Sequence, residues 1–146
     1  MPKKETNRGL KVAVIQIKKF LDGHPYINLS TAALAGSYGI SRNVLQAYFK
    51  HRYKKHIGEY KLKVRLAEAK RLLKQGKSIK EVSIVLRYAS PSSFSNAFKN
   101  YFNISASEWQ DDYYMKKLKK QQQKLLKKQN NTDNTDQTQH PRTSGQ

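Results

Sequence analysis

Two stretches of this chain nearly repeat one another: SRNVLQAYFK at 41–50 and SPSSFSNAFK at 90–99. Aligned without a gap, Ser41 falls on Ser90, Leu45 on Phe94, Phe49 on Phe98 and Lys50 on Lys99. Identity this modest needs a physical test. At about 100° per residue, positions 45 and 49 share one stripe of a helix, and the serine at the head stands where an N-cap belongs. The opposite face carries Asn43, Gln46, Ala47 and Lys50 in the first copy, and Ser92, Ser95, Asn96 and Lys99 in the second. Each copy therefore predicts a short helix with an apolar root and a small, polar outer face free of acids. Such a face suits contact with a flat or grooved surface. The rest of the chain must hold the two helices in place.

Charge indicates which kind of surface. The 146 residues include 29 Lys and Arg against 10 Asp and Glu, a formal net charge of +19. Repulsion of that size works against a compact state unless a polyanion partly neutralises it. Nucleic acid is the expected polyanion and an acidic membrane surface the second choice. The repeated helices are accordingly expected to read DNA. The length allows one domain with a tail. The absence of cysteine excludes a disulfide framework, a thiolate nucleophile and a Cys-based zinc site. His24, His51, His56 and His140 lack ligand spacing, so neither a metal nor a cofactor is expected. No Ser/His/Asp constellation, phosphate loop or carboxylate pair at catalytic spacing is visible, and no enzyme is expected. Without a long apolar run or a signal-peptide core, the sequence reads as a cytoplasmic, nucleoid-associated protein with no membrane partner.

Taken in order, residues 1–9 are polar and expected to be disordered. Leu10, Val14, Ile17 and Leu21 fall on one helical stripe, with Gly23 placed to end the helix. Ser30 is a candidate cap for a small-residue helix over 31–37. Gly39 supplies a turn, Ile40 a core residue and Ser41 the next cap, which makes 30–53 a first helix-turn-helix. The longest helix is expected over 56–75. Its apolar residues form two stripes, Ile57, Tyr60, Val64 and Ala67 on one and Leu62, Leu66, Ala69 and Leu73 on the other, as a helix wedged between two lobes requires. Ser78 and Glu81 form a capping box that opens a second helix-turn-helix over 78–102. A second box, Ser105 with Glu108, opens a last helix over 105–114 that offers Trp109 and Tyr113 to the core.

The expected fold is all-α: two helix-turn-helix subdomains joined by a long connecting helix, about seven helices in all, within a domain spanning 10–114. Beyond it, 115–128 is a basic arm with seven lysines and no acid, and 129–146 is a polar tail expected to be disordered. Met115, Leu118 and Leu125 stand at heptad spacing, but Gln122 interrupts the seam and no coiled coil is expected.

The segment IKEVSIVLRYASPSSFSNAFKNYFNISASEW resembles the second half of the AraC/XylS-type DNA-binding domain. LAGSYGISRNVLQAYFK resembles that family's first helix-turn-helix, and Tyr60 with Val64, Arg65, Leu66 and Ala69 resembles its connecting helix. The resemblance covers residues 10–113 and implies a bacterial transcription regulator that grips DNA with two recognition helices from one chain. Lys54, Arg87 and Asn103 stand where the family often has glycine, and Ala106 where it often has proline. Ala47 and Asn96 occupy positions that often carry arginine in the family. Base reading is therefore expected to lean on Asn43, Gln46 and Asn96, which suit adenine, and on DNA shape.

The residues expected to contact DNA are Ser41, Arg42, Asn43, Gln46, Ala47 and Lys50, with Ser90, Ser92, Ser93, Ser95, Asn96 and Lys99 in the second copy. Both lysines are expected on phosphates, and both cap serines head helix N-termini that also suit phosphate. Arg65 reads as an internal charge partner or anchor of the connecting helix. That helix, about 28 Å long at 1.5 Å per residue, sets two recognition helices near ~34 Å apart, one turn of B-DNA. The function expected is a sequence-specific double-stranded DNA-binding regulator, an activator that binds as a monomer, with RNA polymerase a candidate partner. The alternatives are a non-specific architectural nucleic-acid binder and a helix-turn-helix module acting through a protein partner. With its initial Met the sequence reads as a complete chain lacking an inducer-binding domain, its activity set by abundance or by a partner.

Overall fold

The computed structural model describes residues 7–137, with side chains as far as Asp133. Among the described residues all regular structure is helical, in the order α1 (Asn7–Gly23), α2 (Thr31–Ser37), α3 (Arg42–Tyr53), α4 (Ile57–Lys74), α5 (Ile79–Val85), α6 (Pro91–Phe102) and α7 (Ala106–Gln137). The all-α expectation and the order of elements hold. The chain divides into two compact units after Ala106.

In the first unit, the predicted stripe of α1 is buried at Val14, Ile17 and Leu21. It packs with Leu34 and Ala35 of α2, Ile40 of the turn, Leu45 and Phe49 of α3, and Ile57 at the head of α4. A second set of buried residues lies further along the unit: Leu66, Ala69, Leu72 and Leu73 of α4, Val82 and Leu86 around α5, and Phe94 and Phe98 of α6. Helix α5 packs on both α4 and α6. The two lobes therefore take hold of opposite ends of α4, where the sequence suggested two stripes along its whole length. Leu66, near the middle, is fully buried, whereas Tyr60, Leu62 and Val64 are only half-buried and Ala67 is exposed, so the two expected stripes are not both covered along the whole helix.

Polar contacts tie α1 and its following turn to α4. The Tyr60 hydroxyl donates to Asp22, which also accepts from Lys18 at 3.1 Å. The Tyr26 hydroxyl donates to Glu68, and the Arg71 Nε bonds both Glu68 carboxylate oxygens at 2.9 Å. Lys18 also lies over the Tyr53 and Tyr60 rings, at 5.6 and 5.3 Å from their centroids.

Several boundaries differ from those read in the sequence. Helix α1 starts at Asn7, so part of the polar N-terminus is helical; residues 1–6 lie outside the described ones. The last helix does not stop near 114. It continues through the basic arm and the first part of the polar tail to Gln137, and it is α7, not α4, that is longest. The reason is compositional: between Ala106 and Pro141 there is neither glycine nor proline, and the lysines, glutamines and leucines are good helix formers. The tail beyond 137 lies outside the described residues. Within the second unit, Trp109 and Tyr113 stack face to face at 6.0 Å with their planes 10° apart. Met115, Leu118, Leu125 and Leu126 are exposed.

Candidate nucleic-acid interface

Each lobe presents one helix of the sequence repeat by the same local means. Ser30 caps α2 by accepting from the Ala33 amide at 3.1 Å, and Ser41 caps α3 by accepting from the Val44 amide at 3.2 Å. Between them the chain reverses through Gly39 at φ 67°, closed by the Ile40 amide donating to the Ala35 carbonyl at 3.0 Å. Helix α3 is then rooted by Leu45 and Phe49, both fully buried, with the Phe49 ring 4.8 Å from Tyr53 and 5.5 Å from Tyr60.

The second lobe repeats the scheme with different residues. Ser78 and Glu81 form the expected reciprocal box, each contact at 3.1 Å. The reversal passes through Arg87 at φ 59°, closed by the Tyr88 amide donating to the Ser83 carbonyl at 2.9 Å. Ser83, which takes the place of Ala35, is buried and turns its hydroxyl back onto the Lys80 carbonyl at 2.7 Å. Ser90 accepts from the Ser93 amide at 3.1 Å, with Pro91 in the first turn of the helix. Phe94 and Phe98 are fully buried and meet edge to face at 5.9 Å. One residue, Ala89, separates this turn from the first: Ile40 leads directly into its cap, whereas Tyr88 reaches Ser90 only across Ala89. At their far ends the two helices match again. Lys54 and Asn103 both adopt left-handed backbone, at φ 58° and 60°, and each amide bonds the lysine carbonyl four residues back at 2.8 Å.

The sequence-expected site residues fall on these helices as follows. Ser41, Arg42, Asn43, Ala47 and Lys50 are exposed and Gln46 is half-buried. Ser92, Ser93, Asn96 and Lys99 are exposed, while Ser90 and Ser95 are half-buried. Asn43, Gln46, Ala47 and Lys50 line a shallow groove of about 510 Å³ together with His56, Ile57 and Gly58 at the head of α4. The Ser93 hydroxyl lies 2.9 Å from that of Ser90, so its side chain is engaged by the cap as well as facing outward. Sequence reasoning passed over Val44. It is 41% exposed although apolar, and it takes the place in α3 that Ser93 takes in α6. The repeat alignment carries that signal, because it sets Val44 opposite Ser93. The His56–Gly58 wall of the groove was also missed, since it belongs to a different helix.

No group of described His, Cys, Asp or Glu residues could hold a metal ion. No helix among the described residues is long and apolar enough to cross a membrane. What the fold presents is a pair of capped helices, each with a buried aromatic or aliphatic root and a polar, acid-free outer face, one in each of two lobes joined by a connecting helix. This is a double helix-turn-helix domain.

Comparison with known proteins places it more narrowly. The model of a helix-turn-helix domain family matches residues 34–112. The Msm operon regulatory protein of Streptococcus mutans is 33% identical over 109 residues, which is 74% of this chain and 39% of that protein. The chain thus spans well under half the length of this curated relative. Among solved structures, a transcriptional regulator with an AraC-type DNA-binding domain from Chromobacterium violaceum is 29% identical with a TM-score of 0.62, covering 72% of this chain and 95% of that one. The DNA-binding domain of AdpA, solved with a target DNA, shares the fold at 18% identity and a TM-score of 0.66, covering 71% of this chain and 95% of its own. The chain belongs to the AraC-type helix-turn-helix family, a class of DNA-binding transcription regulators and not of enzymes.

Proposed function

We propose that this chain binds double-stranded DNA at specific sites by inserting α3 and α6 into successive major grooves, as a monomer in the bacterial cytoplasm, and that it activates transcription. The observation that carries this reading is the paired construction of α3 and α6. The same cap, the same buried root and the same left-handed exit recur in both, while the outward residues differ. Helix α4, 18 residues and about 27 Å long, is of the length needed to carry two such helices one turn of B-DNA apart. The relatives named as an operon regulatory protein and as a regulator with an AraC-type DNA-binding domain support duplex DNA as the ligand.

In this reading Asn43, Gln46 and Asn96 reach base edges and suit adenine, and Val44 offers an apolar contact to a thymine methyl. Ala47, Ser92 and Ser95 permit close approach. Arg42, Lys50 and Lys99 neutralise phosphates, and the amides behind Ser41, Ser90 and Ser93 face the backbone. Because the two outer faces differ, the half-sites are unlike and run in the same direction. RNA polymerase is the further partner through which activation would act.

The test is selection of duplexes from a random pool by the full chain, followed by footprinting. Protection over about two helical turns, with Gln46→Ala and Asn96→Ala each relaxing a different half-site by roughly 1–3 kcal/mol, is the expected result. Equal affinity for selected and scrambled duplex at matched salt would sink sequence-specific recognition. It would favour the architectural reading, for which the seven lysines of 115–128, all exposed on α7, supply the charge.

A further inference from the structure

The connecting helix carries a pair of cations that no recognition helix accounts for. Lys61 and Arg65 stand one turn apart on α4, both half-buried, in a cleft of about 200 Å³ whose walls include Leu21, Pro25, Ile27 and Leu62. Among the described residues neither has an acidic partner, the salt bridges of this region being Lys18 with Asp22 and Glu68 with Arg71. Two like charges at this spacing disfavour each other, and apolar walls remove much of the water that would screen them. Burial, and then the Arg65 guanidinium, accordingly push the Lys61 ammonium below its ordinary pKa. An anion in this cleft would offset both charges.

Its position indicates which anion. Gly58 lines this cleft and also the groove beside the outer face of α3. At the other end the Arg65 guanidinium lies 5.4 Å from the centroid of Tyr88, two residues before the cap of α6. The stretch from Gly58 to Arg65, about 10 Å of helix at 1.5 Å per residue, thus lies between the groove beside α3 and the turn that leads into α6. The volume is below the roughly 300–1,000 Å³ of a site for a drug-sized effector and fits a single phosphate group.

We propose that Lys61 and Arg65 form a phosphate-binding notch that takes a backbone phosphate of the duplex between the two half-sites. The proposal rests on the duplex-binding reading above. The notch adds affinity without sequence preference and fixes how the chain sits along the DNA, which is the role of phosphate contacts in general.

The test compares the full chain with K61Q, R65Q and K61Q/R65Q on a selected duplex and on its scrambled version, from about 50 to 200 mM KCl. The double variant should lose roughly five- to tenfold in affinity on both duplexes, and its plot of log affinity against log salt should be shallower by about 1. The charge-preserving K61R/R65K chain, which controls for misfolding, should keep the wild-type slope. Unchanged affinity and slope in K61Q/R65Q, with wild type binding normally, would overturn the notch. So would millimolar inorganic phosphate shifting the Lys61 and Arg65 resonances while the double variant keeps the wild-type salt slope, since the notch would then serve a free anion. Failure of the wild-type chain to bind either duplex would overturn the duplex reading itself, and this proposal with it.

Discussion

Replacing Arg87 or Lys54 by glycine should make this protein more stable. Both residues are exposed and both hold left-handed backbone, at φ 59° and 58°. A side chain there brings Cβ against the following carbonyl, at a cost of about 1–2 kcal/mol. Glycine removes that cost but returns roughly 0.5–1 kcal/mol through the greater freedom of the unfolded chain. The net gain is about 0.5–1 kcal/mol at each position. The two turns belong to different lobes, so the gains should add to about 1–2 kcal/mol. For a unit of about 100 residues, at roughly 4 °C per kcal/mol, the pair should raise Tm by about 4–8 °C. The turn hydrogen bonds are made by backbone and survive the change: Lys54 amide to the Lys50 carbonyl at 2.8 Å and Arg87 amide to the Ile84 carbonyl at 3.1 Å. Thermal and urea melts followed by circular dichroism measure the effect. Removing a cation from a chain of net charge +19 could itself stabilise, so R87A and K54A are the controls: they remove the same charge and keep the strained Cβ. Asn103, at φ 60°, should gain less from glycine because asparagine enters this region more readily. The backbone argument fails if R87G is no more stable than R87A, or if N103G gains as much as R87G.

Phe49→Ala and Phe98→Ala each empty a fully buried site and should cost about 3–5 kcal/mol, read as a large fall in the urea midpoint or loss of the cooperative transition. Ser90→Ala should remove about 1 kcal/mol by leaving the Ser93 amide without its cap at 3.1 Å; Ser90→Gly should cost only a few tenths. Lys50→Gln and Lys99→Gln should weaken duplex binding on selected and scrambled sequences alike and reduce the salt slope by about 1 each; a loss confined to the selected duplex would contradict phosphate contact. The Glu68 carboxyl is held below its ordinary value of 4.5 chiefly by the hydrogen bond from Arg71, and also by that from Tyr26, against an opposing effect of burial. With the folded pKa below the unfolded one, its stabilisation is complete above pH 4.5 and is lost as the pH falls through the folded value. Urea midpoints measured from about pH 6 down to pH 3 should therefore fall less steeply for Glu68→Gln than for wild type.

Much of the fold was legible because its signals are local. A serine hydroxyl finds an amide three residues ahead, and a helical stripe repeats every three or four residues, so the caps at Ser30, Ser41, Ser78 and Ser90 and the roots of α3 and α6 were all readable. The left-handed turns at Lys54, Arg87 and Asn103 were also readable, through a family resemblance that placed glycine there. The length of α7 was not legible in the polar composition, which by itself suggests disorder. The absence of glycine and proline before Pro141 was the better guide.

The sequence by itself determined an all-helical chain with two matched, capped helices, because caps, periodicity and turn geometry depend on residues within one or two helical turns of each other. It could not show that Ala89 lengthens the second turn, that Val44 stands exposed on α3, or that Ser93 is partly tied to its cap. Nor could it show that the end of α1 and its following turn lie against α4, leaving Lys61 and Arg65 half-buried in a cleft there. Those properties follow from which element covers which. In a helical protein one face looks much like another until a neighbour excludes water from it, so which polar and charged groups remain free to meet a ligand was decided by the tertiary structure alone.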